Sequence, residues 1–147
     1  QLRRDYSESI ELNARNNTGF TAFMWACDNG HSDLVKLFLE HSDIIELNAK
    51  KDNGMTAFML TCKDGHSDVV KLFLDHSNSG IDLNATTDLG ETAIMYACGE
   101  GHKDVVQLLL NCPEIQLHIR DKYGRTAFGL ACFLGHNDVV QLFLNAP

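Results

Sequence analysis

One phrase recurs four times in this chain and limits what it can fold into more than any other feature. The copies are Gly19-Phe20-Thr21-Ala22-Phe23-Met24, Gly54-Met55-Thr56-Ala57-Phe58-Met59, Gly90-Glu91-Thr92-Ala93-Ile94-Met95 and Gly124-Arg125-Thr126-Ala127-Phe128-Gly129. A Gly-His pair follows 11 residues after each leading glycine: Gly30-His31, Gly65-His66, Gly101-His102 and Gly135-His136. The steps between copies are 35, 36 and 34 residues. Self-similarity at that period marks stacked units, each leaving an apolar face for its neighbours to cover.

Within a unit the residues predict two short helices. Thr21 is a natural cap for a helix running to about Asn29, with Ala22, Phe23, Ala26 and Cys27 at helical spacing, and Gly30 stops it. A second helix begins near Ser32, with Asp33 in its first turn, where a carboxylate favours the positive end of the helix dipole; Asp68, Asp104 and Asp138 repeat the choice. Its body, Leu34-Val35-Lys36-Leu37-Phe38-Leu39, is apolar over more than one stripe and needs cover on several sides. After it, Ile45-Glu46-Leu47-Asn48-Ala49, Ile81-Asp82-Leu83-Asn84-Ala85 and Ile115-Gln116-Leu117-His118-Ile119 alternate like short extended segments entering a turn. The variable step length falls just before these segments, where loops absorb insertions.

Composition narrows the function classes. The 147 residues carry a formal net charge of −8 with no basic cluster, which argues against a nucleic-acid backbone or an anionic membrane surface as partner. No run reaches the roughly 18 apolar residues of a membrane span, and the start does not read as a signal peptide. Four of the 5 cysteines, Cys27, Cys62, Cys98 and Cys132, hold one position of the unit. Neighbouring helices pack about 8–10 Å apart, too far for the roughly 4.4–6.8 Å between Cα atoms of a disulfide, so the column reads as buried free thiols. That predicts a reducing compartment, cytoplasmic or nuclear.

The recurring Cys, His and Asp do not read as chemistry. A catalytic set is built once in a unique pocket, whereas Cys27, His31 and Asp33 recur in every unit with a glycine breaking the helix between thiol and imidazole. Histidines on successive units are too far apart for zinc, whose ligands all lie about 2.0–2.3 Å from one ion. No phosphate-cradling glycine loop is present, so neither cofactor nor metal is expected. Cys112, outside the column, is the one thiol left to an enzymatic reading.

The unit resembles the ankyrin repeat, about 33 residues made of a β-turn and two helices with the signature Thr-Pro-Leu-His-x-Ala. Thr21-Ala22-Phe23-Met24-Trp25-Ala26 and its equivalents match the threonine and usually the alanine, and the glycine before and Gly-His after match too. Proline is replaced by Ala22, Ala57, Ala93 and Ala127. The signature histidine is replaced by Met24, Met59, Met95 and Gly129, an apolar substitute along the inner edge of the first helices. The resemblance implies an all-α solenoid of stacked helix-turn-helix units with β-turn fingers, repeats at about 16–50, 51–86, 87–120 and 121–147, and a remnant of a preceding repeat at 1–15.

It also implies a non-catalytic module that binds a protein or peptide through its finger tips and the exposed edge of its first helices, on a concave face. Carried onto this chain, the apolar tip residues are Phe20, Met55, Leu89 and Tyr123. Phe133 and Leu134 add apolar groups on the last first-helix edge, where other copies have Asp28, Asn29, Lys63, Asp64, Gly99 and Glu100. The expected anchors are Tyr123, Phe133 and Leu134, with Arg120 and Arg125 reading nearby carboxylates. The family's hairpin asparagine can be hydroxylated, which makes Asn48 and Asn84, with Asn13, candidate modification sites; a side chain that ties down the turn is the structural alternative. The rival function is a structural spacer in a larger multi-repeat protein. The last helix, Val139-Val140-Gln141-Leu142-Phe143-Leu144, is as apolar as the internal copies, so further repeats, end-to-end self-association or fraying must account for it.

Overall fold

The computed structural model describes residues 10–146. Among them are four helix pairs: α1 (Ala22–Asp28) with α2 (Ser32–Leu39), α3 (Ala57–Asp64) with α4 (Ser67–Asp75), α5 (Ala93–Gly99) with α6 (Lys103–Leu110), and α7 (Ala127–Phe133) with α8 (Asn137–Asn145). A 3-10 turn, Ser77–Ser79, sits in the longest connection. First helices pack on first helices and second on second, giving two layers joined within each pair. The chain is an all-helical stack.

Threonine starts every first helix as expected. Its hydroxyl accepts the backbone N–H three residues on, from Met24, Met59, Met95 and Gly129. Such a bond satisfies one orphan donor of the helix start and stabilises by about 1 kcal/mol. Short helices of this kind are marginal alone, so packing must supply the rest. Phe73 of α4 shows how: its ring lies 5.8 Å from Phe23 and 5.1 Å from Phe58, tying two repeats through one side chain. Met24, Met59 and Met95 are buried in the same core.

The Gly-His pair has a reason that spacing alone does not give. Gly65 turns the chain after α3 at φ +74°, and a Cβ there would meet the His102 ring of the next repeat at 2.6 Å. The absent side chain makes room for that imidazole, whose Nε2–H donates to the Lys63 carbonyl at 2.7 Å. His66 reaches Asp28 and His136 reaches Gly99 in the same way, at 2.9 and 2.8 Å. Each histidine thus satisfies a carbonyl left open at the end of the preceding repeat's first helix.

Asn16, Lys51, Thr87 and Asp121 open the four fingers, each accepting a turn bond from the finger's glycine. Adjacent fingers are joined by backbone bonds from Asp52 to Thr18, Asp88 to Asn53 and Lys122 to Leu89. The extended segments expected before them form no strand among the described residues. Their alternation records burial instead: Ile45, Leu47, Ile81 and Leu83 are buried, while Glu46 and Asp82 face solvent. The asparagines tie neighbouring hairpins and not their own turn. Asn48 donates to Gly80 O and accepts from Asp82 N, both at 2.8 Å, and Asn84 does the same to Glu114 and Gln116. Asn13 makes the equivalent pair with Ile44 and Glu46, so residues 10–15 carry a hairpin base like the others. The remainder of the expected remnant, residues 1–9, lies outside the described residues.

Candidate partner-binding surface

The four apolar tip residues occupy two registers. Leu89 and Tyr123 precede the finger glycine, whereas Phe20 and Met55 follow it. Before the glycine the side chain is exposed, 69% for Tyr123. After it the chain has turned towards the first helices: Met55 is 3% exposed and belongs to the core. The expectation that Met55 offers a contact is therefore corrected. Phe20 is half-buried, stacked on Trp25 at 4.4 Å between centroids, with the Lys51 ammonium 5.3 Å from its ring.

In the third and fourth repeats the position after the glycine is charged, as Glu91 and Arg125. The two side chains meet at 3.8 Å, and Arg125 Nε donates to Asp121 at 2.7 Å. Glu91 Oε1 also accepts the Tyr96 hydroxyl at 2.8 Å. Asp121 is buried, which works against its charge. The Arg125 backbone amide and guanidinium and the Tyr123 amide more than offset this, holding its carboxyl below the usual range. Burial and the Glu91 hydrogen bond push the Tyr96 hydroxyl up, so it stays a neutral donor. Arg125 already has two carboxylates and lies over the Tyr123 ring at 5.1 Å, so it is not free to read a partner's. Arg120 is exposed and spends one donor on Gly124 O.

Phe133 and Leu134 are both exposed, 85% for Phe133. Between α5 and α7 lies an open groove of ≈170 Å³, lined by the polar Glu91, Tyr96, Glu100 and Arg125 and by Met95, Gly99, Leu130 and Leu134. Beyond the groove, the ends of α1 and α3 bring two carboxylates together. Partial burial and the adjacent Asp28 carboxylate raise Asp64 to about 6, against the pull of His66 and Lys63. The sequence places Asp28 and Asp64 singly on the first-helix edge; their meeting depends on the stacking of repeats. Trp25 and Tyr96 were missed. The repeat alignment holds a signal for them, since one column reads Trp25, Leu60, Tyr96 and Leu130.

The thiols divide by place. Cys27, Cys62 and Cys98 are buried and free, and burial raises all three, Cys98 to about 12. Cys112 donates to Glu114 Oε2 at 3.1 Å, and partial burial together with that carboxylate raises its thiol as well. A raised thiol is a poor nucleophile at neutral pH, so Cys112 is not an activated one. Among the described residues no three His, Cys, Asp or Glu side chains are grouped to hold a metal ion, and no helix is long and apolar enough to cross a membrane.

A family model described as Ankyrin repeats (3 copies) matches residues 5–87 and 77–147. No curated protein matches the chain.

Proposed function

The chain belongs to the ankyrin-repeat family, and on that premise we propose that it binds a protein or peptide segment on the concave face made by its fingers and first helices. Ankyrin repeats are generally protein–protein interaction modules and typically non-catalytic. The observation that carries the reading is the exposure of Tyr123, Phe133, Leu134 and Leu89 on one end of that surface. Equivalent positions in the first two repeats are the polar Thr18, Asn53, Asp28, Asn29, Lys63 and Asp64. A stack that only spanned distance would gain nothing from exposed aromatic groups there, whereas interface hot spots are built from them.

A displayed peptide library selected on the protein tests the reading. Enriched peptides are expected to weaken about tenfold or more with Tyr123→Ala, Phe133→Ala or Leu134→Ala, and not with Leu144→Ala at the end of the stack. Binders indifferent to all three changes would sink it.

A second reading is supported by the outer face of the last repeat, where Phe128 and Leu144 are exposed, 66% for Leu144. Two copies meeting there would shield these groups end to end. Sedimentation velocity is expected to show a dimer that Leu144→Asp dissociates; a monomer at all concentrations excludes it.

A further inference from the structure

We propose that the groove between α5 and α7 takes an apolar side chain from a segment that also carries Lys or Arg, with the cations lying over Glu100 and the Asp28–Asp64 pair. This rests on the protein-recognition reading above and adds the chemistry of the partner. The groove depends on Gly99, which stands where α1 and α3 have Asp28 and Lys63. A Cβ at Gly99 would sit 3.8 Å from Leu134 Cδ1, so any longer side chain fills the space that Met95, Leu130 and Leu134 line. What remains open suits one aliphatic or aromatic side chain.

Charge selects the rest of the partner. Glu91 and Glu100 in the groove wall face one guanidinium, Arg125, which Asp121 and Glu91 already hold. Glu100 has no ion pair among the described residues. Two repeats back, at the ends of α1 and α3, partial burial and the crowding of Asp28 on Asp64 raise Asp64 to about 6. Two like charges held together gain most from an arriving cation. The same helix-end position reads Asp64, Glu100 and then Leu134, so the surface passes from acidic to apolar towards the last repeat. Two finger cations reach along the stack to carbonyls of the next finger, Arg15 to Lys50 O and Lys50 to Thr86 O at 2.7 Å, and Lys63 beside Asp64 offsets part of the acidic row.

Spacing makes the proposal specific. Adjacent helices lie about 8–10 Å apart and an extended segment rises about 3.3 Å per residue, so one repeat corresponds to about three partner residues. The groove and the Asp28–Asp64 pair are two repeats apart, so the fitting segment has an apolar residue with a basic residue about five or six positions away, on the side of the first repeat. An acidic segment is repelled.

The test is fluorescence anisotropy with the full chain and a labelled Gly/Ser peptide bearing one leucine and arginines five and six residues to either side. The peptide is expected to bind, to weaken about tenfold or more when its arginines become glutamates or its leucine becomes serine, and to weaken as salt rises. On the protein, Gly99→Leu and Glu100→Lys should each weaken it about tenfold, while Leu37→Ala at the exposed surface of α2 leaves it unchanged. Circular dichroism checks that both variants fold, and Glu100→Gln replaces Glu100→Lys if it does not. Equal binding of the arginine and glutamate peptides, or indifference to Gly99→Leu in a folded protein, overturns the proposal. Library peptides that depend on Tyr123 and Phe133 but lack cations overturn it too, and leave the recognition reading standing.

Discussion

Phe58 and Phe128 hold the same place in two copies of one unit, yet Phe58 is 2% exposed and Phe128 37%. The contrast between the second and fourth repeats recurs at other matched positions, though not at the innermost, where Ala57 and Ala127, like Val69 and Val139, are equally buried. Cys62 is buried and Cys132 exposed. A Cβ on Gly65 would strike the His102 ring at 2.6 Å, while one on Gly135 meets nothing within 4 Å. The second repeat is covered on both sides and the fourth on one. In such a stack a residue's energetic weight comes from its neighbours, because stability is close to a sum of unit and interface terms.

The largest effect expected from this contrast is at the phenylalanines. Phe58→Ala should destabilise by about 3–5 kcal/mol in urea unfolding, because it empties a site packed against Phe73. Phe128→Ala removes a ring still partly in water and should cost about half as much or less. Equal losses would break the comparison.

Gly65 and Gly135 sharpen it. Both have positive φ, so alanine costs about 1–2 kcal/mol at either. Gly65→Ala must also displace His102 from the Lys63 carbonyl, adding about 1 kcal/mol that Gly135→Ala escapes. Differential scanning calorimetry of the two variants would show whether the gap exists.

The hairpin asparagines give a third pair. Asn84→Ala strips two inter-repeat bonds and should cost about 1–3 kcal/mol. His118 stands at the same position in the last interval and makes no such tie among the described residues, so His118→Ala should stay within about 0.5 kcal/mol. Chemical denaturation of both variants is the check.

The smallest effect is electrostatic and confined to the first two repeats. Asp64 has a folded-state pKa raised to about 6, so its ionised form is disfavoured in the native chain. That penalty is present at neutral pH, shrinks as pH falls through about 6, and is gone below the unfolded value near 4. Asp64→Asn should therefore raise the melting temperature slightly at pH 7 and leave it unchanged at pH 3.5. Asp28, Lys63 and His66 face the same group, so Asp28→Asn should relieve the same strain and the two changes should not add.

Much of the fold was legible from the chain. Threonine caps, glycine stops, the helix pairs and the unpaired thiols all follow from local rules that need only the residue and its near neighbours in sequence. The surface was legible in part. Tyr123, Phe133 and Leu134 stand exposed as expected, whereas Met55 went into the core, and the carboxylates held by Arg125 were not foreseen. The reason is register: a residue before the finger glycine and one after it look alike in a list of tips, but the chain reverses between them.

The sequence by itself determined the period, the unit and where each helix starts and stops, because hydrogen-bond capping and backbone freedom act over a few residues. Only the tertiary structure decided which member of each repeated column is buried, which histidine finds a carbonyl and which charges meet. Those outcomes depend on groups about 35 positions away in the chain that stacking brings within van der Waals reach.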